Sequence, residues 1–166
     1  MKLVDENGNP SNPGEAYAKC PGMLKGYLNM ESPFVDGWFP TGDYLRIDEE
    51  GYYWFMDRVK QMIKTGGENV FTVKVENVIK LHPAVMNCAV VGLPDPIYSE
   101  AVCAAVVLKP GMSITRQELR DFCGQHLAKF EKPKHIYIVD ALPFTATGKI
   151  QKPTLIEMLK NSTPLE

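Results

Sequence analysis

The sequence lacks the features that would place it in several specialised classes of protein. No apolar run approaches the ~20 residues of a membrane-spanning helix, and the opening residues, MKLVDENGNP, hold no signal-peptide core. The net charge of -2 supplies no basic surface for nucleic acid. The 4 cysteines and 3 histidines are too widely spaced for a CxxC motif or a metal-ligand pattern. We therefore expect a cytoplasmic protein with reduced cysteines and no metal site.

The composition of the sequence is that of an ordinary globular protein. Hydrophobic residues make up 45% and charged residues 23% of the 166 residues, and a chain of this length can bury a core without disulfides. Residues 1–57 combine turn signals with short strand-like runs, an irregular stretch over 34–42, and an acidic turn, Asp48–Gly51, that predicts a hairpin. Because these residues show no pattern of apolar positions sufficient for a core of their own, we interpret them as the end of a larger β-rich domain.

Residues 58–166 differ in pattern and predict an α+β domain, a short sheet with helices packed on it. Helical spacing predicts a first helix with Thr72 as its N-cap, ending at His82-Pro83. A capping-box pattern at Thr115 starts a second helix, whose apolar positions run to Leu127. A third helix opens at Pro153. The predicted strands are a hairpin of 61–64 and 69–71, then 85–93, 101–108 and 135–139, with 101–108 central.

The loop Pro143–Ile150, PFTATGKI, contains the first candidate for chemistry. Lysine is a compact positive charge on a flexible stem, suited to a phosphate or a developing negative oxygen, and Gly148 permits close approach of the backbone to a ligand. A Walker A loop is excluded, because it needs glycine at position 143 and serine or threonine at position 150. On these residues alone, Lys149 is either a functional cation or an ordinary solvated lysine.

A second candidate is the run Thr41-Gly42-Asp43. A carboxylate that follows a glycine turn is able to accept two hydrogen bonds from a ribose diol, as acidic residues do in dinucleotide sites. The alternative is an aspartate that caps its own turn.

A third candidate lies in residues 57–69. Arg58, Lys60 and Lys64 place three cations within seven residues, next to Gly66-Gly67. Arginine is a natural bidentate partner of phosphate or carboxylate, and the glycines would admit a ligand or another backbone. The alternative is a polar linker followed by an ordinary hairpin turn.

In this order and spacing, the motifs resemble those of the adenylate-forming superfamily, which includes acyl-CoA synthetases, peptide-synthetase adenylation domains and beetle luciferases. The resemblance implies that residues 1–57 end an N-terminal AMP-binding domain and that 58–166 form a small C-terminal lid domain. The matching segments are 37–43, Asp57-Arg58 with Lys60, 66–70, 91–95 and 143–149, and the likeness covers nearly the whole chain, reaching Gly14-Glu15 and 21–27.

The resemblance implies a two-step reaction. A carboxylic acid, such as a fatty acid, and MgATP form an acyl-adenylate with release of pyrophosphate, and a thiol, usually coenzyme A, then takes the acyl group. In the first step Lys149 would enter the site, Asp43 would hold the ribose hydroxyls and Arg58 would help to bind the nucleotide.

The second step of the family requires a rotation of the C-terminal domain. The resemblance places the hinge at Lys60, and it implies that Gly66 and Gly67 then face the site beside the pantetheine arm, with Lys64 next to them. Such a lid would present two faces to one site in turn.

The sequence departs from the family's pattern at four positions. Pro40 stands where arginine or lysine is usual, Thr72 replaces proline, Lys74 replaces glutamate and Ser99 replaces a frequent glycine. Lys74 reverses a charge near the face expected to act in thioester formation.

Three alternatives to a coenzyme A ligase remain open. In the first, the acceptor is the pantetheine arm of a carrier protein. In the second, the chain is a stand-alone, non-catalytic lid or binding module. In the third, it is an unrelated α+β domain. The phosphate loop, adenine pocket and acyl pocket of the family's N-terminal domain are absent from the sequence. We therefore expect the chain to be inactive alone and to work with that domain as its partner.

Overall fold

A computed structural model describes residues 1–165, which divide into two compact units. The first comprises Met1–Lys60 and the second begins at Gln61, close to the division that the sequence predicts after residue 57. The predicted affiliation of the first unit with a larger domain stays a prediction. Within the described residues, no helix is long and apolar enough to cross a membrane.

The first unit is an antiparallel sheet in which strands follow chain order. Its strands are β1 (Lys2–Val4), β2 (Gly14–Ala18), β3 (Phe39–Ile47) and β4 (Tyr53–Arg58). The predicted hairpin between β3 and β4 is confirmed. The Asp48 carboxylate holds its turn by accepting the backbone N–H groups of Glu50 and Tyr52 and the indole N–H of Trp54.

The expectation of an irregular stretch over 34–42 is wrong for its second half, because β3 begins at Phe39. Phe39 and Pro40 pair with Ala18 and Tyr17 of β2, which lie some twenty residues earlier in the chain. Their partner is therefore remote in sequence. Taken alone, the glycines and the proline of this run indicate a turn, but pairing with β2 makes its second half a strand.

The second unit is the α+β domain that the sequence predicts. Its hairpin, helices and strands appear in the expected order. They are a 3₁₀ turn at its entrance (Val59–Gln61), β5 (Ile63–Thr65), β6 (Glu68–Val70), α1 (Thr72–Lys80), β7 (Val85–Asp95), β8 (Ser99–Leu108), α2 (Arg116–Gly124), β9 (His135–Ile138) and α3 (Lys152–Lys160).

Strand β8 is the centre of this sheet, as its continuous apolar run predicts. It pairs along its whole length with β7, antiparallel, and also contacts β5 at Ser99 and β9, in parallel, from Cys103 to Val106. Its side chains alternate between two buried clusters, one containing Val102, Ala104 and Val106 and the other Cys103, Ala105 and Val107. Helices α1 and α2 pack on the first face and α3 on the second, so both faces of the strand are covered.

Helix boundaries show where local rules hold and where they fail. The Thr115 capping box is present, with the side chains of Thr115 and Glu118 each accepting the other's backbone N–H. The predicted cap at Thr72 is wrong, because Phe71 is the N-cap and the Thr72 hydroxyl accepts a hydrogen bond from the Lys152 ammonium instead. Helix α2 ends at Gly124, so Leu127 is buried from the turn that follows and not from the helix.

All four cysteines are free thiols, as expected. Cys88, Cys103 and Cys123 lie in the core, and Cys20 is exposed. Burial raises the pKa of Cys88 and Cys103 to about 12, so these two thiols remain protonated at neutral pH and act as small apolar side chains.

Candidate functional site

In the first unit, the structure brings Asp43 and Arg58 together. They are direct partners across β3 and β4, and Arg58 Nε lies 2.8 Å from Asp43 Oδ1. This contact is an ion pair and not an aligned hydrogen bond, because no donor among residues 1–165 meets hydrogen-bond geometry at the buried Oδ1. The Asp43 side chain is nevertheless 31% exposed, so the part of the carboxylate open to a ligand is Oδ2 and not Oδ1.

The strand around Asp43 is fixed by side chains on β2 and β3. The Thr41 hydroxyl donates to Ala16 O at 2.8 Å and accepts the Asp43 backbone N–H at 3.1 Å. Gly42 has φ of +73°, a conformation that favours glycine, and its N–H donates to Glu15 Oε1. The carboxylate of Asp43 is therefore presented by a rigid strand, and its own backbone N–H is bonded by Thr41.

The predicted hinge residue, Lys60, lies in the 3₁₀ turn Val59–Gln61 and is the last residue of the first unit. Its place between two separately packed units is where an inter-domain linker is expected.

In the second unit, Lys64, Gly66 and Gly67 lie together in the β5–β6 hairpin. Both glycines have positive φ, +59° and +86°. Gly66 donates its N–H to Tyr98 O at 2.9 Å, and a Cβ at Gly66 would lie 3.2 Å from the Tyr98 ring. The Lys64 backbone N–H donates to Glu100 Oε2. The hairpin tip is thus fixed against the start of β8, and its second glycine faces open space.

Ser99, one of the four departures from the pattern of the resembling family, has a strained backbone. Its φ is +69°, in the left-handed region where a non-glycine residue is strained. It pairs with Thr65 of the hairpin. Glycine adopts this conformation without strain, whereas serine adopts it here at a cost.

Lys149 projects from a loop closed by its own hydrogen bonds. Thr145 donates its N–H to Lys149 O at 2.7 Å, and the Lys149 N–H donates to Thr145 Oγ1 at 3.0 Å. Gly148, with φ of +79°, donates its N–H to Thr145 O. Phe144 and Ile150 form a bridge at the base. The Lys149 side chain is exposed and forms no ion pair within residues 1–165, so its charge is available to a ligand.

A cavity of about 570 Å³ opens beside the hairpin and lies entirely within the second unit. Thr65, Gly66 and Glu68 form part of its lining. The lining also contains four cations and two aromatic rings, which are Arg120, Lys129, Lys132 and Lys134 with Tyr98 and Phe130. Lys149 is not among the lining residues, so the hairpin cavity and the lysine loop are separate features of the domain.

Hydrogen bonds fix the segment that carries the cavity's lysines. Arg116 donates to Lys134 O at 3.1 Å and Arg120 donates to Pro133 O. Lys134 Nζ lies 2.5 Å from Asp95 Oδ2. The hydrogen bond from Lys134 and the N–H groups of Ile97 and Tyr98 lower the pKa of Asp95 to about 2. Lys134 is therefore partly neutralised, whereas Lys129 and Lys132 have no ion pair in the described part of the chain.

The reversed charge at Lys74 is matched by a carboxylate. Lys74 Nζ lies 2.6 and 2.8 Å from the two oxygens of Glu131, whose side chain is buried. Glu131 Oε2 also accepts the Ala128 N–H. Lys74 is thus half of a local ion pair that joins α1 to the segment carrying the cavity's lysines.

Sequence reasoning missed the cavity residues. The signal was present, since Lys129, Lys132 and Lys134 fall within six residues and flank Phe130. Without the fold, nothing indicates that this cluster lies beside Gly66, more than sixty residues earlier in the chain.

Comparison with known proteins matches part of the chain to a known family. Residues 74–149 match the family described as AMP-binding enzyme C-terminal domain. The chain is 40% identical over 157 residues to a 2-succinylbenzoate–CoA ligase of Geobacillus sp. (strain WCH70). The match covers 92% of this chain and 32% of that protein. The chain therefore spans about a third of the length of the curated relatives that it matches.

Solved structures agree with the sequence comparison. The ATP-bound crystal structure of MatB from Rhodopseudomonas palustris matches with a TM-score of 0.88 and 36% identity, over 96% of this chain and 34% of MatB. The o-succinylbenzoate CoA synthetase (MenE) of Bacillus subtilis, in complex with its acyl-adenylate intermediate, matches with a TM-score of 0.85 and 33% identity, over 100% of this chain and 34% of that protein. The chain belongs to the adenylate-forming superfamily, and it contains that superfamily's AMP-binding enzyme C-terminal domain.

Proposed function

We propose that this chain is the C-terminal portion of an AMP-forming acid–thiol ligase that converts a carboxylic acid, ATP and coenzyme A into an acyl-CoA, AMP and pyrophosphate. The observation that carries the proposal is Lys149, an exposed cation that forms no ion pair within residues 1–165 and lies on a loop closed by its own hydrogen bonds. The curated relatives include a 2-succinylbenzoate–CoA ligase, and the structural neighbours include MatB bound to ATP and a CoA synthetase bound to its acyl-adenylate.

In the first step, the carboxylate oxygen attacks the α-phosphorus of ATP and the bond to pyrophosphate breaks. Negative charge gathers on the oxygens around that phosphorus, and a cation held beside them stabilises the transition state more than the ground state. Lys149 supplies this charge. Because the residue is lysine, the contact is that of a point charge able to follow a moving oxygen.

Asp43 and Arg58 form the nucleotide-binding pair of the proposal. Asp43 accepts a ribose hydroxyl at Oδ2, because Oδ1 is buried beside Arg58 Nε, while Arg58 keeps the carboxylate in place and offers its remaining donors to the nucleotide. Lys60, at the end of the first unit, is the hinge residue.

The cavity beside the hairpin supports coenzyme A as the thiol. Coenzyme A carries three phosphate groups and an adenine ring at one end and its thiol on a long pantetheine arm. Lys129, Lys132 and Arg120 suit the phosphates, and Tyr98 and Phe130 suit the ring. Gly66 and Gly67 leave a backbone edge without side chains, along which the arm is able to pass.

Magnesium is proposed only as the companion of ATP. Among residues 1–165, no group of three or more histidine, cysteine, aspartate or glutamate side chains is placed to hold a metal ion. Magnesium at nucleotide sites is commonly held by substrate phosphates with one or two carboxylates. We propose that those carboxylates lie in the N-terminal domain, the partner of this chain.

A carrier-protein acceptor is the second candidate function, and the choice of acceptor separates the two. The ligase that contains this chain should transfer the acyl group to free coenzyme A in preference to a pantetheine arm loaded on a carrier protein. Product masses, with MgATP and a mixed pool of carboxylic acids, report both acceptors in one reaction. Exclusive loading of the carrier would replace the proposal with the carrier-loading function.

The proposal further expects that this chain alone makes no acyl-CoA, because it spans about a third of its relatives. A yield from the isolated chain equal to that of the full ligase would contradict it.

A further inference from the structure

Lys152 directs its charge into the domain, three residues after Lys149. Its ammonium lies 3.1 Å from Glu76 Oε1 and donates to Thr72 Oγ1 at 2.7 Å. The side chains of Lys152 and Glu76 are only 14% and 12% exposed. Lysine and glutamate are seldom buried unless they are paired, so this pair is a specific feature of the interior.

Glu76 extends the contact to the central sheet. The same oxygen, Oε1, accepts the backbone N–H of Val90 in β7 at 2.9 Å. The first turn of α3, the first two turns of α1 and the middle of β7 are thereby joined at one carboxylate. A buried pair of this kind contributes little net stability, but loss of one partner is costly, and such pairs are able to select one arrangement of the elements.

The loop of Lys149 is attached directly to this network. Gln151, next to Lys152, donates its backbone N–H to Pro143 O at 2.8 Å and its side-chain amide to Phe144 O at 3.0 Å. These two bonds close the base of the loop. The position of Lys152 therefore sets the position of both ends of the loop that presents Lys149.

We infer that Lys152 is a positioning residue for Lys149, acting through its buried contacts with Glu76 and Thr72. The inference rests on the adenylation role proposed for Lys149. Lys152 itself contacts no substrate, since its ammonium is directed at Glu76 and Thr72. Positioning matters for the reaction because a displacement of about 1 Å at a catalytic group can cost about a hundredfold in rate.

The variants that test the inference remove the network without leaving a lone buried charge. Lys152→Met with Glu76→Gln replaces the ion pair by neutral groups of similar size, and the glutamine oxygen keeps the bond to Val90. Lys152→Arg is the conservative variant, because a guanidinium is able to bind both Glu76 and Thr72. The matched control is Lys160→Met, which removes an exposed ion pair with Glu157 from the same helix.

Hydrogen exchange in this chain tests the positioning without ATP or substrate. In the double variant, exchange should accelerate by about tenfold or more at the loop amides of Thr145, Gly148, Lys149 and Gln151. The amides of β7 and β8 should keep their protection, and Lys152→Arg and Lys160→Met should both leave the loop unchanged. An unchanged loop in the double variant, or equal acceleration throughout the sheet, overturns the inference.

The half-reactions of the ligase test the consequence. The double variant should lower kcat for adenylation by about tenfold or more and keep thioester formation from preformed acyl-adenylate within about twofold. Lys152→Arg should keep adenylation close to the wild-type rate. Equal losses in both half-reactions overturn the positioning role. If Lys149→Ala itself leaves adenylation intact, the proposed function fails, while the exchange result still decides whether Lys152 holds the loop.

Discussion

Lys74 and Glu131 form a two-pronged ion pair, with the lysine ammonium 2.6 and 2.8 Å from the two carboxylate oxygens. The lysine is half exposed and the glutamate side chain only 6% exposed, so the pair is intermediate between a surface and a buried salt bridge. Lys74→Glu should lower the free energy of unfolding by about 2 kcal/mol, because a second carboxylate would face Glu131. Urea unfolding measures the change.

The exchanged pair is the control for this prediction. Lys74→Glu combined with Glu131→Lys restores opposite charges at the same two positions and should recover most of the lost stability. If the double variant is as unstable as the sum of the two single variants, the two residues do not act as a pair.

Ser99 holds a strained backbone at the hairpin. Its φ of +69° costs a non-glycine residue about 1 kcal/mol, part of which the greater freedom of glycine in the unfolded chain offsets. Ser99→Gly should therefore raise the free energy of unfolding slightly, by up to about 1 kcal/mol. Ser113→Gly, at an exposed position without positive φ, should lower it by about 0.5 to 1 kcal/mol. Changes of the same sign would contradict the strain at Ser99.

The lowered pKa of Asp95 predicts that the free energy of unfolding depends on pH in the acid range. Its pKa is lowered from 3.8 to about 2 by the hydrogen bond from Lys134 and by two backbone N–H groups. A lowered pKa stabilises the fold above the unfolded value and loses that contribution as the pH falls from about 4 to about 2. Wild type should thus be more stable than Asp95→Asn at pH 7, and the difference should shrink through this window in urea unfolding at each pH.

The control for the acid prediction is Asp140→Asn. Asp140 is exposed and has no ion pair within residues 1–165, so its replacement should leave the free energy of unfolding at pH 7 nearly unchanged. A difference between wild type and Asp95→Asn that is the same at pH 2 and pH 7 would contradict the account of Asp95.

The cavity's cations predict where coenzyme A binds. Lys132→Ala should weaken binding of coenzyme A by about tenfold, the value of one charge-assisted contact to a phosphate. Lys109→Ala, an exposed lysine outside the cavity lining, should have little effect. Calorimetry with coenzyme A and with pantetheine separates the causes, because pantetheine lacks phosphate and its binding should not depend on Lys132. An equal loss for both ligands would exclude a phosphate contact.

Much of the fold was predictable because its signals are local. The capping box at Thr115, the acidic turn at Asp48 and the apolar run of β8 each act over a few residues, and each is found where the sequence indicates. The failures have remote partners. Thr72 does not cap α1 because Phe71 occupies the cap position, and the Thr72 hydroxyl accepts from Lys152, eighty residues later in the chain.

The candidate site also has parts that were predictable from local signals and a part that was not. Asp43 and Arg58 are found as a pair because they are opposed on adjacent strands of one hairpin. The glycine hairpin and the lysine loop are visible as motifs of conformation, with positive φ at Gly66 and Gly148. The basic cavity was not predictable, since it requires the segment carrying Lys132 to fold beside Gly66.

The central claim is that Lys149 serves adenylation and not the transfer to the thiol. The most direct measurement compares both half-reactions in Lys149→Ala of the ligase: pyrophosphate release from MgATP and acid, and thioester formation from preformed acyl-adenylate. We expect the first to fall by about a hundredfold or more, because one stabilising charge is lost from the transition state, and the second to stay within about twofold. Equal loss in both, or no loss in the first, would contradict the role assigned to Lys149.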